Sequence, residues 1–354
     1  MTDAVTRRLA AVAIGRNEGE RLRRCLRSLA EACDPVIYVD SASSDDSVRI
    51  ATELGAVVVR LDGTTALTAA RGRNAGFERL RALRPDAKEV FFIDGDCEMV
   101  PGWPSAALAA LDASQEVAAV CGRLRERFPE MSLYNRMCDL EWAQPVGVVK
   151  ACGGIFVVRT ATFAASGGFN ASLRAGEEPE LCRRLRDAGC TIVRLPDEMA
   201  LHDAALLSFS AWWRRQTRNG RGAAEIALRF GNDLFGPQLR SARLWTLGFM
   251  AAAALMLAVG TAAAGPLGTM VGVLASVGLL LTQITRVAWN ARRRGLSLPD
   301  AASYGVLSWI GKWAQLLGQL RYAAERRRTG LSPGHVRPAF RGDAPSPRGE
   351  RENP

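Results

Sequence analysis

Short apolar runs and helix-period segments alternate along residues 9–202. The runs are LAAVAIG (9–15), PVIYVDS (35–41), AVVVRL (56–61), VFFID (90–94), VAAVCG (117–122), GIFVVR (154–159) and CTIVRLP (190–196). Between the early ones, Leu22, Leu26 and Leu29 share a helical face, Ser44-Asp45 opens a helix that Gly55 closes, and another runs from Thr68 to Arg84 with Pro85 beyond it. Strands separated by single helices predict a mostly parallel α/β sheet covered on both faces. In such sheets ligands bind where loops leave the carboxyl ends of the strands, and Asp40, Asp94 and Asp96 all fall at such ends.

The pattern changes after residue 240. LWTLGFMAAAALMLAVGTAAA (244–264) and PLGTMVGVLASVGLLLTQIT (266–285) carry no charge, and each is long enough for a hydrocarbon core of ~30 Å. Gly265-Pro266 is a turn signal between them, so residues 240–290 are expected to form a transmembrane hairpin. Arg240 and Arg243 precede it and Arg286, Arg292, Arg293 and Arg294 follow, which puts both ends on the cytoplasmic side of an inner membrane. A buried helical pair in a soluble domain is the plain alternative. Over 300–328, Ser308, Lys312, Gln315 and Gln319 make a narrow polar stripe among Trp309, Trp313 and leucines, as in an amphipathic interfacial helix. Residues 329–354, rich in Pro, Arg, Gly and Glu, read as a disordered tail.

Composition adds less. Hydrophobic residues make up 48% of the 354 and charged residues 23%, a globular average that hides the division just described. The net charge of +10 rests almost entirely on arginine spread along the chain, so it marks no nucleic-acid patch; no nucleic-acid partner is expected. All eight cysteines precede Trp245 and none forms a CxxC pair, which predicts packed, reduced thiols, with Cys97 and Cys152 as small packing residues. Met1–Arg8 is polar and the next apolar run is too short for a secretory leader.

Candidate chemistry starts at VFFIDGDCEMVPGW (90–103). Asp94 and Asp96, two apart, share a face in an extended chain. Two carboxylates that close repel unless a cation or donors lie between them, and Mg²⁺ or Mn²⁺ suits such a pair together with diphosphate oxygens. Those three residues alone read equally well as a polar turn.

The wider set of motifs resembles the family 2 glycosyltransferases of the GT-A fold, from about Leu9 to Arg221. Arg16-Asn17-Glu18 looks like the family's first donor loop, VDSASSDDS (39–47) its base-contacting segment through Asp40, and ARGRNAG (70–76) its arginine element through Arg73. DGD (94–96) is similar to the family's Asp-x-Asp. GGIFVVRTATFAASGGF (153–169) resembles its acceptor-side glycine segment, with Gly153 and Gly154, and GEEPELCRRLRDAG (176–189) its acidic helix start. The departures are Ser41, where an acid is usual, and Glu178 in place of aspartate.

The resemblance implies a catalytic domain over 1–235. It implies nucleotide-sugar contacts from Arg16, Glu18, Asp40, Arg73 and Asp94, a metal on Asp96, Asp94 and His202, and catalysis by Glu178 as general base with Glu177 beside it. On its own, the Glu177-Glu178 pair also reads as first-turn acids on a helix dipole, and His202 as a packed, hydrogen-bonded residue. The expected function is inverting, metal-dependent transfer of a single sugar from a nucleotide-diphosphate sugar to a polyprenyl-linked or glycolipid acceptor, in cell-surface glycan or glycolipid synthesis. FSAWWRRQTRNGRGAAE (209–225) lacks the Gln-x-x-Arg-Trp sequence of processive synthases. A nucleotidyltransferase acting on sugar phosphates and a catalytically silent membrane scaffold are the alternatives. The first is disfavoured by the lack of a glycine-rich phosphate loop after the first strand.

Overall fold

The computed structural model describes residues 9–231 and 233–329, so the tail expected over 329–354 lies outside the described residues from 330 onward. The described chain forms two compact units, one of residues 9–127 and 142–204, the other of 128–141 and 205–329. Residues 205–235, which the expected catalytic domain included, cluster with the second unit.

The first unit is a sheet in the order β3-β2-β1-β4-β8-β6-β9-β5, with β7 beside β9. Its strands are β1 Leu9–Gly15, β2 Val36–Asp40, β3 Val57–Arg60, β4 Glu89–Asp94, β5 Cys97–Met99, β6 Val117–Glu126, β7 Gly147–Val148, β8 Phe156–Arg159 and β9 Thr191–His202. The expected α/β class holds. The parallel character, however, is confined to β3, β2, β1 and β4 and to the β6–β9 pair, since β8 runs antiparallel to both β4 and β6. In β1 every residue from Leu9 to Ile14 is buried, as a strand covered on both faces requires, whereas edge strand β3 is half-exposed.

Helices α1 Glu20–Ala30, α2 Ser47–Glu53, α3 Ala69–Leu83, α4 Trp103–Ala113, α6 Thr160–Ala165 and α7 Glu177–Asp187 cover this sheet. Thr68 caps α3 by accepting from Arg71 N, and Gly76 lets α3 press its backbone against Val12 of β1. Beneath α3 and α6, Phe163 packs on Phe77, Phe92 and Phe169 at centroid distances of 4.6, 5.0 and 5.2 Å. Each such ring contributes ~1.5–3 kcal/mol on burial. Antiparallel pairing of β5 with β9 places Cys97 directly opposite His202, which brings the end of a distant strand to the Asp94–Asp96 turn.

The second unit is helical: α5 Leu133–Trp142 (its last residue counted with the first unit), α8 Phe209–Phe230, α9 Gly236–Arg243, a π-helical turn Leu244–Gly248, α10 Phe249–Arg293 and α11 Leu298–Thr329. Helix α10 breaks at Ala264 (φ −147°) and Gly265 (φ 52°), just before Pro266. The chain turns back there. Gly268 meets the Gly260 backbone, a side chain at Gly272 would lie 2.7 Å from Met256 O, and the Thr261 and Thr269 hydroxyls are 2.7 Å apart. Gly236–Arg293 is long and apolar enough to cross a membrane: its most apolar window has mean hydropathy 2.0 and is not buried in the protein.

Helix α11 differs from expectation in where its polar stripe points. Gly220 of α8 meets the Gln315 backbone and Gly318 of α11 meets that of Thr217, so the two helices touch main chain to main chain. Across this contact Gln315 Nε2 donates to Gln216 Oε1 at 2.9 Å, and Gln319 Oε1 accepts from Arg243 Nε at 2.9 Å. Lys312 is half-buried and Gln319 buried, and Gln315 and Gln319 of the stripe partner other helices.

Candidate active site

The loops leaving β1 and β2 are tied together. Asn17 adopts the left-handed region (φ 58°), which asparagine tolerates. Its N–H donates to Ser43 Oγ at 2.9 Å and its Oδ1 accepts from Ser44 N at 2.8 Å. Ser47 Oγ accepts from Glu18 N at 3.1 Å. Asp40, expected at the nucleotide base, is buried. Its carboxylate accepts from Tyr38 OH at 3.1 Å and Ser43 N at 3.0 Å, so it shapes this loop pair. Arg16 is exposed in the first loop.

Arg73 projects from α3 with its side chain only 3% exposed. It donates through Nη2 to Asp94 Oδ1 at 2.7 Å and through Nη1 to Glu177 Oε1 at 2.6 Å. The Phe169 ring lies 5.5 Å from its guanidinium carbon. Burial works against the arginine's charge, but Asp94 and Glu177 outweigh it and raise its pKa. Gly154 (φ 54°) carries the loop before β8 up to this pair: a Cβ there would sit 3.4 Å from Arg73 Nη2 and 3.6 Å from Asp94 Oδ2. Gly153, beside it, has φ 98°.

On the other side of Gly95, Asp96 Oδ2 lies 3.1 Å from His202 Nε2. Burial opposes charge on both groups, but their mutual hydrogen bond prevails, holding Asp96 below the usual carboxylate range and lifting His202 above its ordinary value. The side chain of Glu18 passes over Gly95, where a Cβ would lie 3.3 Å from Glu18 Cγ. Burial first, and then the charge of Asp96, pushes the Glu18 carboxyl up to about 7 despite Arg21 at 2.7 Å.

The adjacent acids of α7 part company. Glu177 reaches Arg73. Glu178, expected as general base, is 2% exposed and turned into the core, where Oε1 accepts from Cys152 N at 2.6 Å and from the Cys182 thiol at 2.8 Å. Burial raises its pKa against those hydrogen bonds. It braces the 152–154 loop from behind.

The sheet thus brings Glu18, Arg73, Asp94, Asp96, Gly154, Glu177 and His202 to one place, while the buried carboxylates of Asp40 and Glu178 hydrogen-bond to the chain around them. Two neighbours were not expected there as site residues. The Trp142 ring packs edge-on to His202 at 4.7 Å, and the Cys97 thiol lies 3.4 Å from Asp96 Oδ1. Only the position of Cys97 next to Asp96 was visible beforehand; nothing in the sequence linked Trp142 to His202. The carboxylate and imidazole of Asp96 and His202 make an oxygen–nitrogen donor set that fits a divalent cation such as Mg²⁺ or Mn²⁺. Asp94, expected as a further ligand, gives one oxygen to Arg73.

Residues 12–145 match the family model described as glycosyl transferase family 2. An uncharacterised glycosyltransferase of Rickettsia conorii is 44% identical over 59 residues, 17% of this chain and 21% of that protein. A second, from Rickettsia bellii, is 42% identical over 59 residues, 17% and 20% of the two chains. The chain thus spans about a fifth of the length of these curated relatives. Among solved structures, a mannosyltransferase of Pyrobaculum calidifontis, in complex with GDP-Man and Mn²⁺, superposes with TM-score 0.58 at 18% identity, covering 90% of this chain and 88% of that one. That likeness is one of fold. Residues 12–145 are thus similar to a glycosyl transferase family 2 domain, and the fold is that of GT-A glycosyltransferases.

Proposed function

We propose that this protein transfers a single sugar, with inversion, from a nucleoside-diphosphate sugar to an acceptor held in or at a membrane. One observation carries the reading: Arg73 joins Asp94 of the donor side to Glu177 of the acceptor side, next to the Asp96–His202 pair. The Pyrobaculum fold relative was solved with GDP-Man and Mn²⁺, which supports a donor of that class and a divalent cation here. Asp96 and His202 would hold Mg²⁺ or Mn²⁺, which when bound neutralises charge on the donor diphosphate. The loop of Arg16 and Glu18, shaped by Asp40, faces the nucleotide.

For the acceptor side we assign the proton-accepting role to Glu177 and withdraw it from Glu178. An acceptor hydroxyl oxygen bonds to the anomeric carbon from the face opposite the diphosphate. The carbon–oxygen bond to phosphate breaks, the nucleoside diphosphate departs, and the hydroxyl proton passes to Glu177 Oε2. Arg73 orients Glu177 through the other oxygen. Gly153 and Gly154 leave room for the acceptor above this pair. Glu178 acts by fixing that loop. Glu177→Gln is expected to lower kcat by ~10²–10⁴-fold with donor binding kept, as for loss of a general base. Glu178→Gln should lower the melting temperature and cost less in kcat. The reverse ranking restores Glu178 as the base.

The arginines flanking the apolar hairpin favour an inner-membrane protein with its catalytic unit cytoplasmic, and hence a polyprenyl-linked or glycolipid acceptor. Incubating membranes with labelled nucleotide-sugars and extracting the lipids tests this. Label appearing in sugar-1-phosphate exchange would point to a nucleotidyltransferase, and absence of donor binding in calorimetry to a silent scaffold.

A further inference from the structure

The proposed metal centre has a soft atom beside it. Cys97 and His202 are directly opposed across the β5–β9 ladder, so their side chains share a face, and the turn from β4 swings Asp96 onto that same spot. One ligand atom from each of Asp96, Cys97 and His202 lies within 4.8 Å of the others. The sulfur is 3.4 Å from Asp96 Oδ1, and the imidazole nitrogen Nε2 is 3.1 Å from Oδ2. Ligands held ~2.0–2.3 Å from one tetrahedral ion are themselves about 3.3–3.8 Å apart, close to the two spacings from the Asp96 carboxylate. Cys25, also nearby, directs its thiol at the Asp94 carbonyl and stays outside the set.

We infer that Cys97 is a third ligand of this centre, making it a Cys–His–Asp site that selects Mn²⁺ over Mg²⁺ and binds Co²⁺ or Zn²⁺ more tightly than either. A thiolate is a poor ligand for hard Mg²⁺ and a strong one for softer ions. A thiol that coordinates a cation gives up its proton to do so. The exchange is balanced: the metal–sulfur bond forms as the S–H bond breaks, and the proton leaves to solvent. The inference rests on the metal site proposed above.

The test is a Co²⁺ titration of the full-length protein in detergent, with a phosphine reductant. A thiolate-to-cobalt charge-transfer band in the near ultraviolet is expected for the wild type and for Cys25→Ser, and should vanish in Cys97→Ser. Calorimetry should show Zn²⁺ affinity falling by ~100-fold or more in Cys97→Ser, since even partners outside the ligand shell are worth 10–100-fold. Should that variant fail to fold, X-ray absorption of the Zn²⁺-loaded wild type serves instead, with one sulfur expected at about 2.3 Å. Co²⁺ binding without the band, or a band that survives Cys97→Ser, overturns the role of Cys97 and leaves the Asp96–His202 site standing. No Co²⁺ binding at all overturns both.

Discussion

Successive residues on a helix point about 100° apart, enough to send Glu177 to Arg73 and Glu178 into the core. Motif order pointed both acids to the site; the direction each faces depends on where α7 sits over the 152–154 loop, which no local pattern encodes. Asp40 has the same history: its place at the end of β2 was legible, while the donors from Tyr38 and Ser43 that occupy it were not. Glu18 yields a prediction at this scale. Its folded pKa of about 7 lies above the ordinary carboxylate value, so the folded state binds the extra proton. The stability this gives is complete below about pH 4.5 and is lost as pH rises through about 7. Glu18→Gln should therefore match the wild type in thermal unfolding near pH 4.5 without divalent cations, and exceed it by up to ~3 kcal/mol near pH 8. A difference that does not grow with pH would count against this burial.

At the scale of elements, the long buried strands were readable because a strand covered on both faces is a continuous apolar run, and Leu9–Gly15 is the clearest case. Their pairing was not. Antiparallel β8 carries the same kind of apolar run as its parallel neighbours, and β5 and β7 are too short to show any periodicity. The polar stripe of α11 was ambiguous for a different reason. A row of amides and one lysine looks the same whether it faces water or hydrogen-bonds to another helix. The glycines settle it, since Gly220, Gly311 and Gly318 lie where α8 and α11 meet. Gly220→Leu would drive a side chain into the Gln315 backbone, which cannot turn aside as a flexible side chain could. Loss of ~1–3 kcal/mol, the usual cost of overpacking, is expected in thermal or denaturant unfolding. An unchanged midpoint would mean that the contact is not maintained in solution.

For the whole molecule, the proposed membrane attachment depends on α10. The uncharged run 244–264 rises ~31 Å at ~1.5 Å per residue, which matches a hydrocarbon core of ~30 Å. Ala263→Cys, next to the break, should react with a membrane-impermeant maleimide only from the face opposite that which labels Arg294→Cys. Labelling of both from one face would mean that the hairpin lies along the surface. The expected charge asymmetry was readable from the arginines, whereas the partition of α8 and residues 128–141 into the helical unit was not, because it rests on contacts between segments far apart in sequence. The break at Ala264-Gly265 carries one more consequence. With the reversal completed in two residues, a hairpin inserted as proposed would leave almost no polypeptide beyond the bilayer: no loop for an external receptor to grip, no stretch for an external protease to cut. In the proposed orientation, control would come from the side where the sugar donor is supplied, or through the lipid itself.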